Sequence, residues 1–148
     1  MTHLFAYGTL MCEDIMSEVA GCRLPNVPGK LRGYSRRIVK GELYPALVQD
    51  EAGQVSGLVY RDVPPSAWER LDRFEGEMYR RLSVQVELGD SQLLQTATYL
   101  VRPEFLGHLD RSDWNFDGFI RSGKKRFLRE YRKDLSAKPE PLKGGKDD

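Results

Sequence analysis

Along the chain, apolar residues recur in two rhythms. Near residue 80 the alternation is strict: Leu82, Val84, Val86 and Leu88 take turns with Arg81, Ser83, Gln85 and Glu87, which predicts a half-buried strand. "GDSQ" at 89–92 is a turn, and "LLQTATYLV" after it predicts an antiparallel partner. Just upstream the rhythm is helical. Ala67, Trp68, Leu71 and Phe74 fall at three- and four-residue spacings, with Pro64-Pro65 to open a helix and Gly76 to close it. His3 to Tyr7 predicts a short strand, and Ile15, Met16 and Val19 a short helix within Met11–Ala20. Strands are expected near Lys30–Lys40 and Tyr44–Val48, and a separate buried one over Gln54–Val63. Ser112 or Asp113 is expected to cap a last helix to about Leu135, with Phe116, Phe119, Ile120, Gly123 and Phe127 on one face. The sum is about six strands, mostly antiparallel, with two or three helices. This is an α+β domain whose sheet is of a size to curl into a barrel.

Composition narrows the class. A chain of 148 residues, 40% hydrophobic and 30% charged, suits one globular domain over residues 1–136. "AKPEPLKGGKDD", from Ala137, lacks apolar residues apart from Leu142 and is expected to be a disordered polar tail (137–148). The net charge of +1 gives no general attraction to nucleic acid or acidic lipid. The segment "RSGKKRFLREYRK" holds seven Lys or Arg among thirteen residues, so a nucleic-acid-binding helix is the rival reading from another class. Its aromatics sit at core spacing, which favours a solvated basic face; the expectation is no nucleic-acid partner and no membrane partner. No apolar run approaches a membrane span, and "MTHLFAYG" lacks the pattern of a secretory leader. Cys12 and Cys22 form no CxxC pair and suit a reducing compartment, so a cytoplasmic location is expected.

Candidate chemistry is reached by exclusion. His3 and His108 have no partners at metal-ligand spacing, so no metal and no cofactor is expected. GxSxG, GxxxxGK[ST] and GxGxxG are absent. Cys12 and Cys22 lack a paired base and read as packing residues. Carboxylates remain. In "LDRFEGEMYRR", Glu75 ends the predicted helix, where the partial negative charge of the helix C-terminus opposes ionisation. Burial beside Phe74 and Met78 would raise its pKa further, toward what a general acid/base needs. Its position allows equally a solvated side chain or one paired with Arg80 or Arg81. "FAYGTL" at 5–10 is likewise open: its glycine either turns the chain at a strand end or offers backbone N–H groups to a ligand.

Together, "AYGTL" and "LDRFEGEMYRR" some 65 residues later resemble the gamma-glutamylcyclotransferase superfamily, in its short branch with gamma-glutamylamine cyclotransferase and the avirulence-induced-protein-like members. "YPALV" (44–48), "VSGLVYRDV" (55–63) and "SDW" (112–114) are smaller echoes, and the likeness covers roughly residues 3 to 130. The resemblance implies a small mixed barrel with short helices around it. It implies that Tyr7, Gly8, Thr9 and Leu10 hold the substrate, that Glu75 is the catalytic acid/base, and that Tyr79 lines the same pocket. Glu75 rather than Glu77 matches, because it directly precedes glycine. The reaction implied is conversion of a γ-glutamyl amine or peptide to 5-oxoproline and a free amine, without a metal. A non-catalytic ligand-binding domain of the same fold is the nearer rival. The leaving amine and the oligomeric state are not specified by any of these residues.

Overall fold

The computed structural model describes residues 2–137. Backbone contacts divide the chain into two units, Met1–Phe116 and residues 117 onward. The first is a closed five-stranded barrel in the order β1-β3-β2-β4-β5. Its strands are β1 (Leu4–Ala6), β2 (Asn26–Ile38), β3 (Pro45–Tyr60), β4 (Tyr79–Leu88) and β5 (Leu93–Val101). All pairings are antiparallel except the seam that closes it, where Leu4 of β1 meets Ala97 of β5 in parallel. Alternate residues point inward, so Phe5, Tyr7, Leu31, Leu47, Val55, Val59, Val84, Val86 and Leu100 fill the barrel. Two helices belong to this unit: α1 (Glu13–Ala20) and α2 (Pro65–Glu75), packed on each other. The helix face read from the sequence is the one used, with Ala67, Trp68 and Leu71 buried.

Three expectations are corrected. The strands at Tyr44–Val48 and Gln54–Val63 are one strand, β3. Its pairing with β2 runs from Ile38↔Pro45 to Tyr34↔Gln49 and resumes at Arg32↔Gln54. Residues 50–53 are therefore looped out opposite Gly33, and the Asp50 carboxylate accepts the Ala52 N–H at 3.2 Å. A polar excursion inside a strand has the composition of a turn between two. The barrel thus has five strands rather than about six.

Neither Ser112 nor Asp113 begins the last helix, which starts at α3 (Phe116–Gly118). Asp113 instead turns its carboxylate to Arg36, as described below. The helical run continues through a π-helical turn at Phe119–Gly123 into α4 (Lys124–Ala137). In this second unit Phe119 meets Phe127 edge-on at 5.6 Å, and Phe127 stacks on Tyr131 at 6.5 Å. A π turn holds more residues per turn than an α-helix, so the 3.6-residue spacing that grouped Ile120 with them fails there, and Ile120 is 40% exposed. The tail is expected from Ala137, which here ends α4; residues 138–148 lie outside the described residues.

Candidate active site

The site is built where the end of β1, the hairpin between β2 and β3, and the end of α2 converge. After Ala6 the chain leaves the barrel at Tyr7-Gly8 and enters a 3₁₀ turn, Thr9–Met11. The turn closes with Met11 N–H on the Gly8 carbonyl (2.9 Å) and Cys12 N–H on Thr9 (3.1 Å). The opening N–H groups of such a turn have no acceptor within it. Three contacts hold it from outside. The Tyr60 hydroxyl donates to the Leu10 carbonyl at 2.6 Å, and Arg36 Nη1 donates to the Tyr7 carbonyl at 2.9 Å. At Gly8 a Cβ would stand 2.9 Å from both Cδ and Cγ of Pro45, a rigid ring with nowhere to go, so only glycine allows this approach. Pro45 in turn accepts the Tyr79 hydroxyl on its carbonyl at 2.8 Å. Tyr79 opens β4, four residues after Glu75.

Glu75 is the last residue of α2. The helix stops there because Gly76 takes φ +76°, a left-handed value, and returns its N–H to the Asp72 carbonyl at 3.0 Å. The Glu75 side chain is half-buried, and among the described residues no hydrogen bond or ion pair meets its carboxylate. Arg81 goes to Asp72 instead, at 3.5 Å, and lies over the Trp68 ring at 4.6 Å. Burial, and then the negative charge of Asp72 one turn back, push the Glu75 carboxyl up to about 8. Glu77, two residues on, is exposed.

Around this carboxylate stand buried phenols. Tyr7 is pushed up by burial and by the Glu75 charge, against the pull of Arg36. Tyr79 is raised by burial, then by Tyr7, Glu75, Tyr44 and Glu42. Tyr99 is raised by burial and by its 2.7 Å hydrogen bond to Asp72, with smaller shares from the Asp72 and Glu75 charges. These phenols stay neutral at any physiological pH. Tyr7 donates its hydroxyl to the Tyr99 carbonyl at 2.7 Å, so its proton is committed and only its oxygen can accept. Tyr7 is thus both a member of the barrel core and a neighbour of Glu75.

The two sequence-predicted stretches are therefore brought together: Tyr7 and Tyr79 share the electrostatic field of Glu75, and Gly8 reaches Tyr79 through Pro45. Asp72, Tyr99, Pro45 and Arg36 were not singled out from the sequence. Asp72 was within reach, because residues three apart on a helix share a face. Arg36 carried no local signal.

The raised carboxyl has a consequence for stability. A group whose folded pKa lies above its ordinary value of 4.5 contributes most below that value, and the contribution is lost as pH rises through about 8. Glu75→Gln removes the ionisation that burial opposes. Calorimetry should show its Tm exceeding that of the native chain by more at about pH 9 than at about pH 5. A difference that does not change with pH would contradict the burial of this carboxylate.

A closed, mixed five-stranded barrel with helices around it defines the fold class. A gamma-glutamyl cyclotransferase of known structure has this fold, with a TM-score of 0.63 at 17% identity over 96% of this chain and 90% of its own. Residues 4–116, which nearly coincide with the barrel unit, match the family described as gamma-glutamyl cyclotransferase, AIG2-like, and the chain belongs to that family. AIG2-like protein A of Arabidopsis thaliana is 31% identical over 151 residues, spanning 99% of this chain and 88% of the relative. A solution structure from the same plant, 32% identical, covers 95% of both chains with a TM-score of 0.65.

Proposed function

We propose that the protein is a cyclotransferase that converts a γ-glutamyl amine or γ-glutamyl peptide to 5-oxoproline and a free amine, with Glu75 as the single general acid/base. The observation that carries this reading is the half-buried, unpartnered Glu75 carboxyl, raised to about 8 beside the Tyr7-Gly8 turn. The substrate's α-nitrogen attacks its own γ-carbonyl carbon. A C–N bond forms to close the five-membered ring, and the bond from that carbon to the departing nitrogen breaks.

The protein has two proton transfers to manage. The α-ammonium must lose a proton before it can attack, and Glu75 takes it. The arriving ammonium itself favours the ionised carboxylate, so substrate binding draws Glu75 into the form that can accept. The leaving nitrogen is expelled only when protonated, and the same carboxyl returns the proton. A carboxyl tuned near neutrality loses little in either direction. Holding the glutamyl group folded on itself supplies a further part of the rate, since good orientation is worth roughly 7–11 kcal/mol. In this reading the N–H groups of Gly8, Thr9 and Leu10 bind the α-carboxylate or the developing oxyanion, and Tyr79 walls the pocket.

The test is mass spectrometry for 5-oxoproline after incubation with a panel of γ-glutamyl amines, γ-glutamyl-lysine isopeptide and γ-glutamyl dipeptides. Release from at least one member, in step with the free amine, is the expected result. Saturable binding of these compounds with no 5-oxoproline from any would instead make the protein a ligand-binding domain of the same fold.

A further inference from the structure

The bond from Arg36 to the Tyr7 carbonyl falls on the peptide whose other end is the Gly8 N–H. In a trans peptide the carbonyl and the N–H are coplanar and point in opposite directions, and no peptide bond among the described residues is cis. Whatever fixes the Tyr7 carbonyl therefore fixes the Gly8 N–H, aimed away from the guanidinium. Among the described residues no acceptor meets that N–H.

The guanidinium is itself held. Its Nε donates to Asp113 Oδ1 at 2.8 Å and its Nη2 to Asp113 Oδ2 at 3.3 Å, the two-pronged geometry that a carboxylate offers. It lies over the Trp114 ring at 5.5 Å. Asp113 and Trp114 are brought there by the chain just before them, which runs beside the end of β2. Asp110 N–H bonds the Ile38 carbonyl, Ile38 N–H bonds the Ser112 carbonyl, and Val39 bridges Leu109. The same corner reaches the other side of the turn: Trp114 Nε1 donates to the Leu43 carbonyl at 2.9 Å, two residues before the Pro45 ring that packs on Gly8. The Arg36 side chain is only 16% exposed while Asp113 is 65% exposed, so the carboxylate faces water and the cation faces the turn.

We propose that Arg36 is a positioning residue: clamped by Asp113, it locks the Tyr7–Gly8 peptide plane so that the Gly8 N–H is presented to the substrate's anionic group. A cation bonded to the carbonyl also polarises the peptide and strengthens its N–H as a donor. The role in turnover rests on the cyclotransferase reading; the orientation of Gly8 does not. Lysine cannot replace arginine here, because a single ammonium cannot hold both Asp113 oxygens and the Tyr7 carbonyl in one plane.

The experiment combines amide NMR with kinetics on the full chain. The Gly8 amide resonance is followed in the native protein and in Arg36→Lys, Arg36→Met and Asp113→Asn, with and without 5-oxoproline. Barrel amides such as Val86 report whether each variant is folded, and Asp113→Asn, altered on the solvent side, serves if the Arg36 variants do not fold. The Gly8 resonance should move in every variant while Val86 stays. 5-Oxoproline should shift Gly8 in the native chain and bind about tenfold or more weakly in both Arg36 variants, the loss expected for one charge-assisted hydrogen bond. The kcat for 5-oxoproline release should fall in parallel, with Arg36→Lys no better than Arg36→Met. A Gly8 resonance indifferent to Arg36, or full binding and rate in Arg36→Lys, would overturn the proposal. Should the native protein release no 5-oxoproline while Gly8 still answers the ligand through Arg36, the positioning role stands and the cyclotransferase reading falls.

Discussion

Glu75→Gln should lower turnover of a competent γ-glutamyl substrate by roughly 10²–10⁴-fold, the share usually carried by a positioned acid/base. Glutamine keeps the size of the side chain and its place at the end of α2, but it cannot carry a proton from one nitrogen to the other. Binding should persist, because the Gly8–Leu10 backbone is untouched by the change. The limb of the pH–rate profile tied to a group near 8 should disappear with the carboxyl. Glu77→Gln provides the contrast. Glu77 is exposed and two residues further along, so its variant should retain most of the native rate. Saturating substrate and purified variants decide the matter. A dead Glu77→Gln beside an active Glu75→Gln would move the catalytic role by two residues, and two active variants would remove it from this turn altogether.

Acetylating the α-amine of the substrate should abolish 5-oxoproline release entirely. In the cyclisation the substrate's own nitrogen is the nucleophile, and an amide nitrogen is far too weak a base to serve. The phenols around Glu75 cannot take over: those of Tyr7, Tyr79 and Tyr99 are held neutral, and two of them already donate to backbone carbonyls. Steady release of free amine from the acetylated compound, with an acyclic glutamate product, would show instead that water attacks and that the protein is a hydrolase.

How much of this was readable in advance follows from the range of the interactions. α2 and β4 were legible because their periodicity is local, and α2 is stopped by its own glycine. The raised carboxyl of Glu75 was one reading of its place at a helix end and of burial beside Phe74 and Met78; burial is the larger cause, and the neighbouring charge of Asp72 went unnoticed. β3 was cut in two because Asp50–Gly53 has a turn's composition and only the register with β2 shows the strand resuming. Asp113 resembled a helix cap for the same reason that it makes a good arginine partner: a short carboxylate takes the strongest donor it can reach. That donor is Arg36, distant in sequence, and nothing in the local pattern of either residue announces the other.

Closure of the barrel by its first strand also sets an order of events during synthesis. β1 is only three residues long and is held between β3 and β5, so its pairing stays incomplete until β5 has been made. The Tyr7-Gly8 turn hangs from the end of that strand. Contacts this distant along the chain form late, after the loops between them have closed. A nascent or nicked chain that lacks β5 therefore lacks the partners that hold β1 and Tyr7 on that side, however complete α2 and its glutamate are. The turn and the last staves of the barrel are completed together.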